Sequence, residues 1–215
     1  MAMVTATRDD LIPEPIREIA LVRPLTADDL ATFPDDGNRY EIIGGMLNVS
    51  PAPTSRHQDV ATQLLTWLNL HVLQSRSGKI FSAPIDIHLS INDVVQPDIV
   101  VVLNEHLQRI EEKGIVGAPD IVVEILSSST ARADRVWKAA LYARSGVQEY
   151  WLVDPAEDTI LVQSLEEDHY VTTGTFGRDA MLQTPLLPEL RLELAKVFPG
   201  MSPEPPRVVD RSVEE

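Results

Sequence analysis

Two stretches of the sequence begin with the same five residues: PDIVVVL at 97–103 and PDIVVEIL at 119–126. Continuous runs of valine, isoleucine and leucine are typical of β-strands that are buried on both faces. The second copy nevertheless carries Glu124 in its interior, where an ionised carboxylate needs a cation, a hydrogen-bond network or an edge position. We therefore predict two central strands. We interpret Glu124 as a functional ligand, as one partner of a structural salt bridge, or as a residue on a solvent-facing strand.

The segments before these two strands predict a helix, a strand pair and a second helix. TADDLATF (26–33) is a short helix in which Thr26 and Asp29 have the spacing of a capping box. RYEIIGGMLNVS (39–50) is a pair of strands around two glycines. From Ser55 to Leu73, apolar residues recur at helical spacing, which predicts a long amphipathic helix.

A further helix and further strands follow the repeated stretches. The segment from Thr130 to Ser145 predicts a helix that ends at Gly146. VQEYWLVD (147–154) is another strand, and TILVQSL and HYVTTGTF predict two edge strands. The predicted inward-facing residues of this helix are Val136, Ala140 and Leu141.

The two ends of the chain differ in composition from the middle. Residues 1–24 lack sustained periodicity and residues 199–215 are rich in proline and charge, so we predict a flexible N-terminal segment and a disordered C-terminal tail. The intervening residues, 25–198, form one predicted domain. Acidic residues occur near the N-terminus where a signal peptide has a basic start, and no apolar run approaches the length of a membrane span. We therefore expect a cytoplasmic protein that does not enter a membrane.

Charge and cysteine content limit the classes of function. The formal net charge of −15 argues against a protein that coats nucleic acid by electrostatics alone. The absence of cysteine excludes a disulfide framework, a thiolate metal site and a cysteine nucleophile. Residues 127–150, however, hold four basic residues against two acidic ones. The arginines of this basic segment are the predicted nucleic-acid contacts: Arg132, Arg135 and Arg144.

Charged residues accompany the two central strands. Asp98 opens the first copy, Glu124 lies inside the second, and the next helix carries Asp134, Lys138 and Tyr142 along one face. The simplest account is an Asp134–Lys138 ion pair on a helix surface. Alternatively, two carboxylates on neighbouring strands suit Mg²⁺, and a lysine beside them suits phosphoryl chemistry. Without an ion the two carboxylates would repel each other, so we expect removal of one charge to stabilise the ion-free protein.

Taken in order, these stretches resemble the Uma-two family of restriction endonucleases, which belongs to the PD-(D/E)XK nuclease superfamily. The resemblance covers residues 25–198 and implies an α/β, restriction-endonuclease-like fold with a mixed central β-sheet flanked by helices. The stretches that carry it are RYEIIGGMLNVSPAPTSRHQ (39–58), QPDIVVVLNE (96–105), GAPDIVVEILSSSTARADRVWKAALYARSGVQEYWLVDP (117–155) and LPELRLELAKVF (187–198).

The resemblance also implies roles for individual residues. The first acid of the superfamily motif falls on Asp98 and the second on Glu124, which together would hold a divalent ion. The common form of the motif has a lysine two residues after the second acid, but this chain has Leu126 there. The family's replacement lysine on the following helix falls on Lys138. The implied supporting residues are Glu41, His57, Asp134 and Tyr142.

The implied function is metal-dependent hydrolysis of phosphodiester bonds in DNA, with Mg²⁺, or Mn²⁺ in its place, as the cofactor. In this hypothesis Lys138 positions the attacking water and offsets charge in the transition state. Two alternatives stay open: an inactive nuclease fold that serves as a binding or assembly module, and a small-molecule phosphodiesterase, which would tolerate the acidic surface. A homodimer also stays open as the assembly state.

Overall fold

The computed structural model describes residues 23–30, 32–127 and 133–198, with the backbone alone for Ala133 and Asp134. Apart from residues 23 and 24, the predicted flexible segment and the predicted tail lie outside the described residues. The helices are α1 (Ala27–Leu30), α2 (Ser55–Ser75) and α3 (Ala139–Ser145), with a π-helical segment (Ala133–Lys138) directly before α3 and 3₁₀ turns at Asn104–Arg109 and Leu194–Lys196. The strands are β1 (Arg39–Ile43), β2 (Met46–Ser50), β3 (Gly78–Ser82), β4 (Ile87–Ser90), β5 (Asp93–Val95), β6 (Ile99–Leu103), β7 (Ile110–Glu111), β8 (Gly114–Val116), β9 (Ile121–Ile125), β10 (Glu149–Asp154), β11 (Thr159–Glu166), β12 (His169–Gly177), β13 (Met181–Leu182) and β14 (Leu192–Glu193).

The strands form two six-stranded sheets and a small two-stranded one. The main sheet has the order β12-β11-β10-β9-β6-β3, and it is mixed because β9 and β10 run parallel while the other pairs are antiparallel. The second sheet has the order β2-β1-β5-β4-β8-β7. The α/β fold with a mixed central sheet is confirmed. The prediction of two late edge strands is correct for β12 and wrong for β11, which lies between β10 and β12.

The two repeated stretches are β6 and β9, and they pair with each other. Val100 lies opposite Val122, and these are equivalent positions of the two copies. The antiparallel pair is therefore close to two-fold symmetric about its middle valines. All six paired residues of the two strands are fully buried, as their continuous apolar character predicts.

The main sheet is covered on both faces. The apolar stripe of α2, which repeats every four residues, packs on the face that carries Ile99, Val101 and Val123. The opposite face carries Val100 and Val122, and it is covered by α3 and by apolar residues of the second sheet. None of the described helices is both long enough and apolar enough to cross a membrane.

Local signals at the helix ends agree with the sequence predictions. The Thr26 amide donates to Asp29 Oδ2 at 2.8 Å, which is one half of the predicted capping box. The helix predicted from Ser55 begins there, and Thr54 caps it by accepting the His57 amide. Gly146 ends α3 with a φ of 87°, a conformation that favours glycine.

The inward face of the second long helical stretch was predicted only in part. Leu141 is fully buried, but Val136 is 56% exposed and Ala140 is exposed as well. The physical reason is the π-helical segment, which holds more residues per turn than an α-helix and so shifts the phase of the residues before α3. The same shift leaves Trp137 48% exposed.

Candidate active site

The paired repeats place two carboxylates at one end of the strand pair. Asp98 directly precedes β6 and Glu124 lies in β9, and extending the register one residue beyond Ile99 and Val123 sets the two acids opposite each other. Asp98 is 5% exposed and Glu124 is 2% exposed. The Ile125 amide donates to Asp98 Oδ2 at 2.8 Å, which holds the aspartate against the end of β9.

Glu124 is bound by two residues that follow it in the chain. Lys138 Nζ lies 2.9 Å from Glu124 Oε1, and the Tyr142 hydroxyl donates to the same oxygen at 2.7 Å. Lys138 ends the π-helical segment and Tyr142 lies one turn later in α3, so both side chains reach the sheet from one helix face. Burial, together with the charges of Glu124 and Glu41, raises the pKa of Tyr142 well above its usual value. The phenol therefore stays protonated and remains a donor.

A third carboxylate shares the lysine. Glu41, in β1, is fully buried, and its Oε1 lies 2.8 Å from Lys138 Nζ. Asn48 Nδ2 donates to Glu41 Oε2, and the backbone amide of Gln96 donates to Glu41 Oε1, each at 2.9 Å. Lys138 itself is only 3% exposed. Its ammonium is thus the counter-ion of two buried carboxylates, one from each large sheet.

Asp98 has a cation of its own and an imidazole neighbour. Both terminal nitrogens of Arg39 lie 3.0 Å from Asp98 Oδ1, and Nη1 also donates to the Gln96 carbonyl at 3.0 Å. His57 Nε2 lies 3.2 Å from Asp98 Oδ2, while its buried Nδ1 has no hydrogen-bond partner among the described residues. Burial alone would raise the pKa of Asp98, but the hydrogen bond with His57 and the charge of Arg39 outweigh it and hold the pKa below its usual value.

Two clefts meet at this cluster of charges. The first, of about 520 Å³, is lined in part by Glu124 and Lys138. The second, of about 580 Å³, is lined by the segment before β1 and the first turns of α2. Arg39, His57 and Asp98 line both clefts. Asp98 therefore lies at the junction of the two clefts, whereas Glu124 lines the first cleft only. Each cleft is of a size that commonly holds a ligand.

The sequence matches the model of the Uma2 family, described as "Putative restriction endonuclease", over residues 27–195. The chain belongs to the Uma2 family. A solved structure with similar architecture, a "putative nuclease belonging to DUF820" from Anabaena variabilis, is 25% identical with a TM-score of 0.67. That match covers 81% of this chain and 98% of the other. A search of curated proteins finds no match.

Most residues that the sequence assigned to a Uma2 active site meet in the structure, although their catalytic roles stay predictions. Asp134 is an exception, because its side chain lies outside the part that is described. Four of these residues line the first cleft, namely Asp98, Glu124, Lys138 and His57, and two contact residues of that lining, namely Glu41 and Tyr142.

The three arginines predicted to contact nucleic acid do not form one described surface. Arg132 lies outside the described residues. Arg135 is exposed and pairs with Asp154, a residue of the first cleft, at 3.2 Å. Arg144 pairs with Asp93 at 3.1 Å and borders a separate apolar groove beside β2. Arg135 is therefore close to the Uma2 site, and Arg144 lines neither of its two clefts.

Sequence reasoning missed Arg39, Asn48 and Gln96. A signal for Arg39 was present, because it lies two residues before Glu41 in a strand, and strand residues two apart share a face. Asn48 lies directly opposite Glu41 in the β1–β2 pair. No local pattern reveals Gln96, which contributes through its backbone amide and carbonyl.

The chemistry of the donors fits a hard divalent ion such as Mg²⁺. Among the residues that are described, no group of three or more His, Cys, Asp and Glu side chains is arranged to hold a metal. Mg²⁺ does not need such a cage, because it retains several waters and takes one or two carboxylates, which Asp98 and Glu124 supply at the first cleft. Arg39 contacts Asp98 and Lys138 contacts Glu124, so each carboxylate has a cationic partner in the ion-free protein.

Proposed function

We propose that this protein is a metal-dependent endonuclease that hydrolyses phosphodiester bonds in DNA. The observation that carries the proposal is that Asp98, Glu124 and Lys138 all line the first cleft, with Lys138 Nζ 2.9 Å from Glu124 Oε1. Two carboxylates from neighbouring strands with an ammonium beside them are suited to stabilising charge on a phosphoryl group. Membership of a family described as restriction endonucleases supports DNA as the substrate class.

Asp98 and Glu124 are the residues that would hold the ion, either Mg²⁺ or Mn²⁺. When bound, such an ion polarises a phosphate oxygen and lowers the pKa of a bound water. The chain fixes both ligands in advance: the Ile125 amide holds Asp98, and the Tyr142 hydroxyl holds Glu124. Preorganised ligands reduce the cost of assembling the site when the substrate arrives.

Lys138 contributes charge and position. It lines the first cleft while it contacts both Glu41 and Glu124. In the proposed reaction its ammonium offsets negative charge that develops on the phosphate, and it orients the water that attacks. Glu41 anchors the lysine from the second sheet, so it acts as a positioning residue.

A second candidate function is an inactive nuclease fold that binds DNA or a partner without cutting. The observation that favours it is that Arg39 and Lys138 neutralise the carboxylates of the ion-free protein. Such a network is complete without an ion, and it would have to open before catalysis. Cleavage assays separate the two candidates.

The test incubates the purified protein with supercoiled plasmid, linear duplex and single-stranded DNA in Mg²⁺, Mn²⁺ or EDTA. We expect cleavage that requires the divalent ion and that is lost in Glu124→Gln. The matched control is Glu149→Gln, because Glu149 is a buried carboxylate that accepts from Trp151 and Thr184 outside both clefts. Cleavage that survives EDTA or Glu124→Gln contradicts the proposal. Turnover of a small phosphodiester alone, with no DNA cut, would identify a small-molecule phosphodiesterase instead.

A further inference from the structure

The cations that line the two clefts differ in how they are held. Among the described residues these are Lys138, Arg56 and Arg39. The side chain of Lys138 is 4% exposed and is enclosed by carboxylates from both large sheets. Arg56 lines the first cleft only and pairs with Asp158 at 2.6 Å. The exposed fraction of the Arg39 side chain, 22%, is similar to the 24% of Arg56, but Arg39 alone of these three cations lines both clefts. It is therefore the cation best placed to reach a ligand at their junction.

The pairing of Arg39 with Asp98 is less complete than another arginine–carboxylate pair in the chain. Arg23 binds Asp29 as a fork, with Nη1 2.8 Å from Oδ2 and Nη2 2.7 Å from Oδ1. Both terminal nitrogens of Arg39 instead converge on Oδ1 of Asp98, at 3.0 Å each. The other oxygen already accepts a backbone amide and lies beside an imidazole. A guanidinium binds an anion best through two of its oxygens at once. Asp98 offers Arg39 only one, and the second acceptor of Arg39 is the neutral Gln96 carbonyl, which accepts from Nη1.

We propose that Arg39 is the phosphate-binding residue of this site. It rests on Asp98 in the ligand-free protein and transfers to the DNA backbone when Asp98 takes up a divalent ion. A phosphodiester offers two non-bridging oxygens, which match the guanidinium fork better than the single oxygen of Asp98 does. The inference rests on the proposed function, since it takes the DNA phosphodiester as the ligand.

Binding of a labelled duplex oligonucleotide in EDTA tests the proposal without turnover. Asp98→Asn should free the guanidinium and tighten binding about 10-fold, the size of one charge-assisted hydrogen bond. In an Arg39→Gln background the same Asp98→Asn change should alter affinity less than about 3-fold. The slope of log affinity against log salt should be smaller in magnitude in the double variant than in Asp98→Asn alone. The expected difference is about 0.9, the value for one phosphate contact.

Two matched controls separate this effect from a change in net charge. Asp120→Asn removes an acid from the same Pro-Asp context, outside both clefts. Arg23→Gln removes a carboxylate-bound arginine that also lines neither cleft. Each control should change affinity less than about 2-fold. If Asp120→Asn tightens binding as much as Asp98→Asn, or if Asp98→Asn has the same effect with and without Arg39, the gain is general charge repulsion and the proposal is wrong.

A conservative variant keeps the proposal testable if Arg39→Gln fails to fold. Arg39→Lys retains the charge but not the fork, so in the Asp98→Asn background it should keep the salt slope and weaken binding about 5-fold. Unchanged affinity in that variant contradicts the two-oxygen contact.

The outcomes also separate the two proposals. A protein that shows the predicted coupling but cuts no DNA has the phosphate site without being an endonuclease. A protein that cuts DNA but shows no coupling is a nuclease in which Arg39 is structural. If no variant binds DNA, both proposals are wrong.

Discussion

The two copies of PDIVV build the same cap at opposite ends of one strand pair. At one end the Ile125 amide donates to Asp98 Oδ2 at 2.8 Å, and at the other the Leu103 amide donates to Asp120 Oδ2 at 2.7 Å. Each aspartate also lies beside an imidazole nitrogen, at 3.2 Å and 2.7 Å respectively. Each thus satisfies a strand-end amide that would otherwise lack an acceptor, a task that both ends share.

The two ends differ in what surrounds the aspartate. Continuing the register places Glu124 opposite Asp98, but Val102 opposite Asp120. An arginine and a lysine join the Asp98 end, which opens into both clefts, whereas Asp120 lines neither. The candidate active site is therefore a structural strand cap with added charges. The aspartate alone does not distinguish the functional end from the structural one.

Replacing each aspartate by asparagine tests this comparison most directly. Asparagine keeps an oxygen that can accept the strand amide, so both Asp98→Asn and Asp120→Asn should keep the cap. Asp98→Asn also removes the carboxylate that pairs with Arg39, so it should cost more stability than Asp120→Asn. Asp98→Asn also removes an ion ligand, and it should lower the rate of DNA cleavage about 10³-fold, equivalent to about 4 kcal/mol. Asp120→Asn should stay within about 3-fold of the parent. Initial cleavage rates per folded molecule provide the measurement, and equal losses in both variants would mean that Asp98 acts only as a cap.

The two ends of the strand pair should also differ in how much their charged partners stabilise the fold, and Lys138 is the partner to test at the Asp98 end. Lys138→Met leaves Glu41 and Glu124 buried without their shared cation and should lower the free energy of unfolding by about 3 kcal/mol. At the other end, His106→Gln removes a partner of Asp120 that is 30% exposed, and it should cost less than about 1 kcal/mol. Urea unfolding near neutral pH measures both. A small loss in Lys138→Met would show that the lysine is not the required counter-ion.

Asp29 should give the smallest effect, because its partner Arg23 is 49% exposed and the pair lines neither of the two clefts. The hydrogen bond from Arg23 outweighs desolvation and, with those from Thr26, holds the pKa of Asp29 well below its usual range. Such an acid stabilises the fold above its unfolded pKa of about 3.9, and this contribution is lost as pH falls through the folded pKa. Asp29→Asn should therefore melt below the parent near neutral pH, by the equivalent of about 0.5 kcal/mol, with the gap closing below about pH 4. Calorimetry across this range provides the check, and a constant gap would exclude the charge as its cause.

Local periodicity was sufficient to predict the elements that carry the site. Apolar runs predicted β6 and β9, and helical spacing predicted α2 from Ser55. Helical spacing predicted that Lys138 and Tyr142 share a helix face, since residues four apart lie on one side of a helix. Their approach to Glu124 was implied by the family resemblance. These strands and helices depend on residues that are close together in the sequence, so a single sequence is enough to predict them.

Features that depend on distant segments were not predicted. The second sheet joins short strands, such as β1 with β5 and β4 with β8, whose pairing no local pattern specifies. Arg39 reaches Asp98 from 59 residues away, and Lys138 reaches Glu41 from the other sheet. The prediction that Asp98 and Glu124 repel each other in the ion-free protein did not take these cations into account. Removing the charge of Glu124 is now expected to deprive Lys138 of a partner rather than to stabilise the ion-free protein.

A well-paired sheet needs an acceptor ahead of either strand, whether or not the protein cuts DNA. A lineage that lost its chemistry would keep Asp98, or an acceptor such as asparagine in its place, for as long as β9 needs its cap. Glu124, Lys138 and Arg39 cap no strand, and apolar residues can replace a buried ion network together at little cost in stability. Among relatives with this fold, a retained Pro-Asp therefore reports on the architecture, and the retained glutamate, lysine and arginine report on whether the activity has survived.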